Sequence, residues 1–158
     1  MVGRGDAVFS RDHFVPGHVT ASCYIVDGAG RLLLHHHRRL GRWLQMGGHV
    51  EAGELPAQAA LREAREESGL DDLELVVAGI FDLDVHRIPA GRGEPEHRHF
   101  DVRYLARTAA PERVAIDVAE SNDIAWIDLG RAADLLDEEC GRRVIRKIFG
   151  VRQRQLPL

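Results

Sequence analysis

The apolar pattern of the chain runs as β-type segments, then a helix, then strands again, then helices. His18 to Asp27, rich in β-branched and aromatic residues, predicts a strand. Gly28 to Gly30 turns the chain, and Arg31 to His37 returns as the second arm of a hairpin. Arg42 to Met46 reads as a short strand ending at the Gly47-Gly48 pair. A helix follows. Pro56 suits its first turn, where a missing N–H is harmless, and Gly69 suits the position just past its end. Between them Ala57, Ala60, Leu61 and Ala64 recur at helical spacing and form one narrow apolar face. Leu73 to Ile88 reads as one long or two short strands, and Ala90 to Glu96 as a loop. His97 to Ala109 is a further strand and Asp123 to Leu129 another. Arg131 to Glu139 and Arg142 to Gly150 close the chain as helices. This order predicts an α+β fold, a mixed sheet between helices in three layers.

Composition narrows the class. The 158 residues fit one domain, 1–158, and 44% hydrophobic with 29% charged residues supports a packed core. There is no repeat, long linker or low-complexity tract. A net charge of -4 argues against a general nucleic-acid binder, while local charge still permits a small anionic substrate. No apolar run is long enough to span a membrane, and the first residues, MVGRGDAVFSRDHFVPG, lack an apolar signal core. Cys23 and Cys140 form no CxxC pair, which suits a reduced, cytoplasmic protein. Lys147 is the sole lysine, so basic contacts to a substrate come from arginine, whose planar fork suits phosphates.

Candidate chemistry begins on the first helix. Residues three and four apart share a helix face, so Glu63, Glu66 and Glu67 lie together, away from the alanine-leucine face. Carboxylates this close need protonation, arginine or a metal, and hard cations such as Mg²⁺ or Mn²⁺ prefer oxygen ligands. A solvated acidic face is the bland alternative. The surroundings favour the metal. Gly48, Glu54, Arg62, Glu63, Ala64, Glu66, Glu67, Gly69 and Leu70 satisfy G-x5-E-x7-R-E-U-x-E-E-x-G-U, with U aliphatic, at every fixed position.

With this box the chain resembles the Nudix hydrolase superfamily. Glu120 to Leu129 (ESNDIAWIDL) is similar to that family's late acidic-aromatic segment. The resemblance implies an α/β/α Nudix sandwich and hydrolysis of a diphosphate linkage in a nucleoside diphosphate derivative or similar small diphosphate. It implies that Glu63, Glu66 and Glu67 hold Mg²⁺ or Mn²⁺ with help from the Gly47 carbonyl. One glutamate (Glu63 or Glu67), or Glu120 from the later segment, would deprotonate water. Glu54 and Arg62 would pair and hold the loop against the helix. A homodimer is also expected from the family. Arg38, Arg39 and Arg42, just before the box, are candidates for a second substrate phosphate; a solvated basic strand end is the alternative.

Nine histidines are many for this length. His97 and His99, two apart on a predicted strand, face the same side. His49 follows Gly48 in the box, His18 begins the first strand and His13 lies five residues earlier. In these positions the chain is similar to isopentenyl diphosphate isomerases, Nudix-fold enzymes with a histidine and glutamate metal site. The segments PGHVTASCYIV, GGHVEAGE and HRHFDV carry the likeness, with His97 and His99 where the isomerases have glutamates. A second site of His18, His49, His97 and His99, with His13 nearby, is therefore expected. Imidazoles favour Zn²⁺, Ni²⁺, Fe²⁺ or Mn²⁺ over Mg²⁺. The alternative is a set of polar residues lining a substrate pocket.

On the strand DLDVH, Asp82, Asp84 and His86 share one face, which lines a substrate pocket or is simply the wet side of the sheet. The triple histidine His35 to His37 splits between two faces, leaving at least one ring in solvent. Trp43 and Trp126, near strand ends, fit the core better than a base-stacking role. Three functions follow: a diphosphate hydrolase, an isomerase acting on a prenyl diphosphate, and a non-catalytic nucleotide sensor. The intact glutamates argue against the sensor. Gly47, where the isomerases need cysteine, argues against the isomerase.

Overall fold

The computed structural model describes residues 6–91, 93–136 and 138–153. Among the described residues eight strands form one mixed sheet: β1 (Gly17–Val26), β2 (Arg31–His37), β3 (Arg42–Leu44), β4 (Met46–His49), β5 (Glu74–Leu75), β6 (Asp82–Ile88), β7 (His97–Arg107) and β8 (Ser121–Asp128). Their order is β3-β2-β1-β7-β5, with β8 beside β2, β4 beside β1 and β6 beside β7. β1 runs parallel to β7 along its whole length, and its other edge is shared between β4 and β2. Being paired on both edges, β1 is buried nearly throughout.

Three α-helices among the described residues cover the sheet: α1 (Pro56–Ser68), α2 (Leu129–Leu135) and α3 (Glu139–Gln153). On one face Ala59, Ala60 and Ala64 of α1 pack against Ala21, Cys23 and Ile25 of β1 and Tyr104 and Ala106 of β7. On the other, Leu129 and Ala132 of α2 and Val144, Ile145 and Ile148 of α3 pack against Tyr24, Val26, Leu34 and Leu105. The α/β/α sandwich expected from the sequence is thus observed. Trp126 packs against the first cluster and Trp43 against the second, as core residues do.

α1 starts and stops where its punctuation predicts. Pro56 occupies the first turn, the Gln58 side chain accepts a hydrogen bond from the Leu55 N–H, and Gly69 closes the helix in the left-handed conformation at φ 70°. Several boundaries differ from the expectation. Arg42 to Met46 is not one strand: β3 pairs with β2, and β4 pairs with β1 and contains both glycines. A Cβ on Gly47 would lie 2.5 Å from Ser22 Cβ, and one on Gly48 would lie 2.4 Å from a Glu63 oxygen. The glycines therefore permit close approach across the strand. Leu73 to Ile88 takes the two-strand form of the expectation, as β5 and β6. The last helices lie at Leu129–Leu135 and Glu139–Gln153, the first starting earlier and the second running longer than the apolar pattern suggested.

Candidate active site

The box carboxylates meet β4 on the α1 side of the sheet. Glu67 is 8% exposed and accepts a hydrogen bond from the Gly47 N–H at 2.9 Å. Glu63 lies against Gly48, its side chain 19% exposed. Glu66 differs: its side chain is 60% exposed. The three do not form one uniform acidic face, because Glu67 turns beside the buried alanines while Glu66 turns to solvent. Arg62 intervenes as well. It pairs with Glu54 through two contacts, at 3.1 and 3.0 Å, with Glu63 at 2.9 Å and with Glu66 at 3.4 Å. Its Nη2 also donates to the His49 carbonyl at 3.1 Å, so the expected Glu54–Arg62 clamp does tie the box loop to the helix.

Burial pushes the Glu67 carboxyl up to about 8, with repulsion from Glu63, Glu120 and Asp117 adding to it and the Gly47 N–H opposing it. Burial also raises Glu63, against the pull of Arg62. Glu120 is exposed, and its backbone carbonyl accepts from the Arg38 N–H at 2.8 Å. Its field reaches Glu67, as does that of half-buried Asp117, a residue no motif marks. A buried carboxylate with one N–H donor, surrounded by further carboxylates, is under-neutralised. That is the environment a hard divalent cation fits.

The opposite face of the sheet carries the histidines. The parallel register sets His18 beside His99, and the antiparallel register sets His86 on the other side of His99. Across three strands the rings stand abreast, with His18 and His99 centroids 4.7 Å apart and His86 and His99 5.4 Å apart. His49 reaches the group from β4, its centroid 5.1 Å from that of His18. His97 completes it, 5.0 Å from His18. Burial pushes His49 down to about 4 and His99 to about 3, so both rings are neutral at ordinary pH. Burial lowers His18 too, while the His13 backbone opposes the shift. His13 thus influences the cluster through its main chain. It is absent from the one set whose ligand atoms all lie within 4.8 Å of one another among the described residues, namely His18, His97 and His99.

Farther along this face lies a buried ionic network. Arg103, 5% exposed, donates to Asp101 at 2.8 Å and Asp84 at 3.2 Å. Thr20 and Ser22 donate to Asp101 at 3.1 and 2.8 Å. Arg143 and Lys147 neutralise Asp82 from α3 at 2.7 and 2.6 Å. Asp84 and His86 line a cleft of about 320 Å³ together with Tyr24, Arg42 and Arg103. Asp101 and Arg103 went unnoticed in the sequence, since alternation marks a face but not its partners.

The arginines separate. Arg42 reaches the cleft and pairs with Glu138 at 2.7 Å. Arg38 donates to the Val118 carbonyl at 2.6 Å, near Glu120, and Arg39 is exposed in the turn after β2. The triple histidine splits as alternation requires: His35 is buried against Ser121 at 2.6 Å, and His36 stands edge-on to Trp43 on the other side. His36 and His37 are half-buried, so the ring expected in solvent is partly exposed rather than free.

Known proteins share both sequence and shape with this chain. The family model of the NUDIX domain matches residues 16–148. A Mycobacterium tuberculosis protein named "Putative 8-oxo-dGTP diphosphatase 2" is 36% identical over 107 residues, covering 60% of this chain and 69% of that protein. An octanoyltransferase of Myxococcus xanthus is 31% identical over 134 residues, 81% of this chain, yet the chain spans only 36% of that protein's length. Among solved structures, a C. elegans Ap4A hydrolase superposes with a TM-score of 0.68 at 22% identity, covering 85% of this chain and 97% of the other. Among the described residues no helix is long and apolar enough to cross a membrane. With the box, its setting on β4 and α1, and the match over most of its length, the chain belongs to the Nudix hydrolase superfamily.

Proposed function

We propose that the chain hydrolyses a diphosphate linkage in a nucleoside diphosphate derivative or a similar small diphosphate, using Mg²⁺ or Mn²⁺. The observation that carries this is buried Glu67, held at Gly47 beside Glu63 and left with too few cations for its acidic surroundings. Glu63, Glu66 and Glu67 would hold the metal, with the Gly47 carbonyl assisting. When bound, the ion would supply charge neutralisation for phosphate oxygens and an acidified water. The chain's own residues do the rest. Arg62 fixes Glu63 and the box loop, which sets where the carboxylates point. Glu67 or Glu120 would take the proton from water. Arg38 and Arg39, on the Glu120 side, and Arg42, in the cleft with Asp84 and His86, are candidates for binding the rest of the substrate.

The names of the mycobacterial relative and the worm structure support a nucleotide with linked phosphates as the substrate class. An isomerase reading is disfavoured on a structural ground. Gly47 stands where that reaction needs a cysteine, and a side chain there would collide with Ser22. A screen of nucleoside diphosphate derivatives with Mg²⁺ and with Mn²⁺ tests the proposal. Phosphate products that vanish with Glu67→Gln are expected. Ligand binding without turnover under any metal would show a sensor, and conversion of isopentenyl diphosphate to its allylic isomer would show an isomerase.

A further inference from the structure

His18, on the face of the sheet away from α1, is 1% exposed, and neither ring nitrogen has a hydrogen-bond partner. A buried imidazole always carries a donor or acceptor that wants a partner. The His13 main chain comes near the ring without closing a well-formed hydrogen bond. The nearest rings are those of His49, His97 and His99, all with centroids within about 5.1 Å of His18.

The tautomer of His97 is fixed by chemistry. Its Nδ1 lies 2.8 Å from the Pro95 carbonyl oxygen, which can only accept. Nδ1 therefore carries the proton and Nε2 presents a lone pair. That lone pair accepts from His99 Nε2–H at 3.3 Å, a proton that a cation would displace. A ring whose far nitrogen donates to a backbone carbonyl is the arrangement that orients histidine ligands toward a metal. Phe14 stands edge-on to His97 at 5.1 Å and to His18 at 6.4 Å, so an apolar side chain screens the group.

We propose that His18, His97 and His99 form a binding site for a divalent transition-metal ion such as Zn²⁺, with His49 beside them as a fourth imidazole. Their ligand atoms already lie within 4.8 Å of one another. An ion between them satisfies the orphaned nitrogen of His18 and takes the place of the proton shared between His97 and His99. Imidazole donors and a screened pocket select Zn²⁺ or its neighbours over Mg²⁺. Three protein ligands leave a position for an oxygen donor, such as water or a phosphate. The site is separate from the glutamates, which face the other side of β4, and it stands whether or not the chain is a hydrolase.

Zinc content and ligation test this directly. Chelator-stripped wild-type protein, dialysed against Zn²⁺ and passed through a desalting column, is expected to retain one ion per chain by elemental analysis. X-ray absorption at the zinc edge of that wild-type sample should show three or more imidazoles. His97→Ala should weaken Zn²⁺ binding by about a hundredfold or more, beyond the usual effect of losing an outer-shell partner. The Glu63→Gln, Glu67→Gln double variant should bind Zn²⁺ as the wild type does. No retained zinc, a zinc edge dominated by carboxylate oxygens, or zinc lost in the glutamate variant but kept in the folded His97→Ala protein would each overturn the site. The absorption measurement needs no variant, so a histidine substitution that fails to fold leaves the test intact.

Discussion

Glu67 and His99 stand on opposite sides of the same sheet, and both are desolvated ligand-type groups. Their chemistry runs in opposite directions. Around Glu67 the burial of carboxylates favours the protonated form, so the site is short of positive charge. Around His99 the burial of imidazoles favours the unprotonated form, so the site is rich in free lone pairs. The first environment suits a hard cation and the second a softer one. Burial alone therefore does not decide what a pocket holds; the sign of the charge that burial suppresses does.

The largest expected effect breaks the first side of this contrast. Glu67→Gln should lower kcat by about 10²–10⁴-fold, the range for losing a proton-transferring group, while thermal stability of the metal-free protein holds or rises. Steady-state kinetics and a melting scan measure both. A variant with normal kcat would remove Glu67 from the chemistry.

Gly47→Ala comes next, because the added methyl meets Ser22 and the Ala21 carbonyl oxygen, at a backbone φ of 158°. A loss of about 2–3 kcal/mol is expected from denaturant melts, as for overpacking in a core. An unchanged midpoint would show that β4 can shift away from β1.

The pH dependence sharpens the contrast itself. In metal-free protein, Glu67 is held near 8 against an ordinary 4.5, so its contribution to stability is full below about 4.5 and is lost as pH rises toward 8. His49 and His99 are held near 4 and 3 against 6.5, so theirs is full above about 6.5 and is lost as pH falls through those values. Each limb should move Tm by at least about 2–4 °C, which is about 1 kcal/mol in a protein of this size. Glu67→Gln should flatten the alkaline limb and His99→Gln the acid limb. If one substitution flattens both, the two sites are not independent.

Asp117→Asn should give the smallest effect. Asp117 is the last of the charges repelling Glu67, so removing it should lower the Glu67 pKa slightly and shift the alkaline limb by a few tenths of a pH unit, about half a kcal/mol. A ¹³C NMR titration of the Glu67 carboxyl reads it.

Local signals were the legible ones. Pro56 and Gly69 bound α1 because helix ends are decided by the residues at those ends. The box carried the family because its glutamates are fixed by helical spacing. What the sequence concealed was decided by neighbours distant in the chain. Gly47 and Gly48 read as the end of a strand, but they continue one, because Ser22 and Glu63 leave no room for side chains. Asp101 and Arg103 looked like ordinary strand residues until pairing set them against Asp84 and Thr20. Glu66 could not be told from Glu67 by spacing alone, although one is in solvent and the other buried.

One-residue steps along β4 assign Gly48 to Glu63 and His49 to the histidines. A strand alternates faces with period two, so a deletion or insertion between Gly47 and His49 would exchange the two assignments at once. The carboxylate side would receive an imidazole, and the histidine side would lose one. Neither site can drift in sequence by a single position without rewriting the other, and the segment from Gly47 to Glu54 is held to one length by the strand register at one end and the Arg62 clamp at the other.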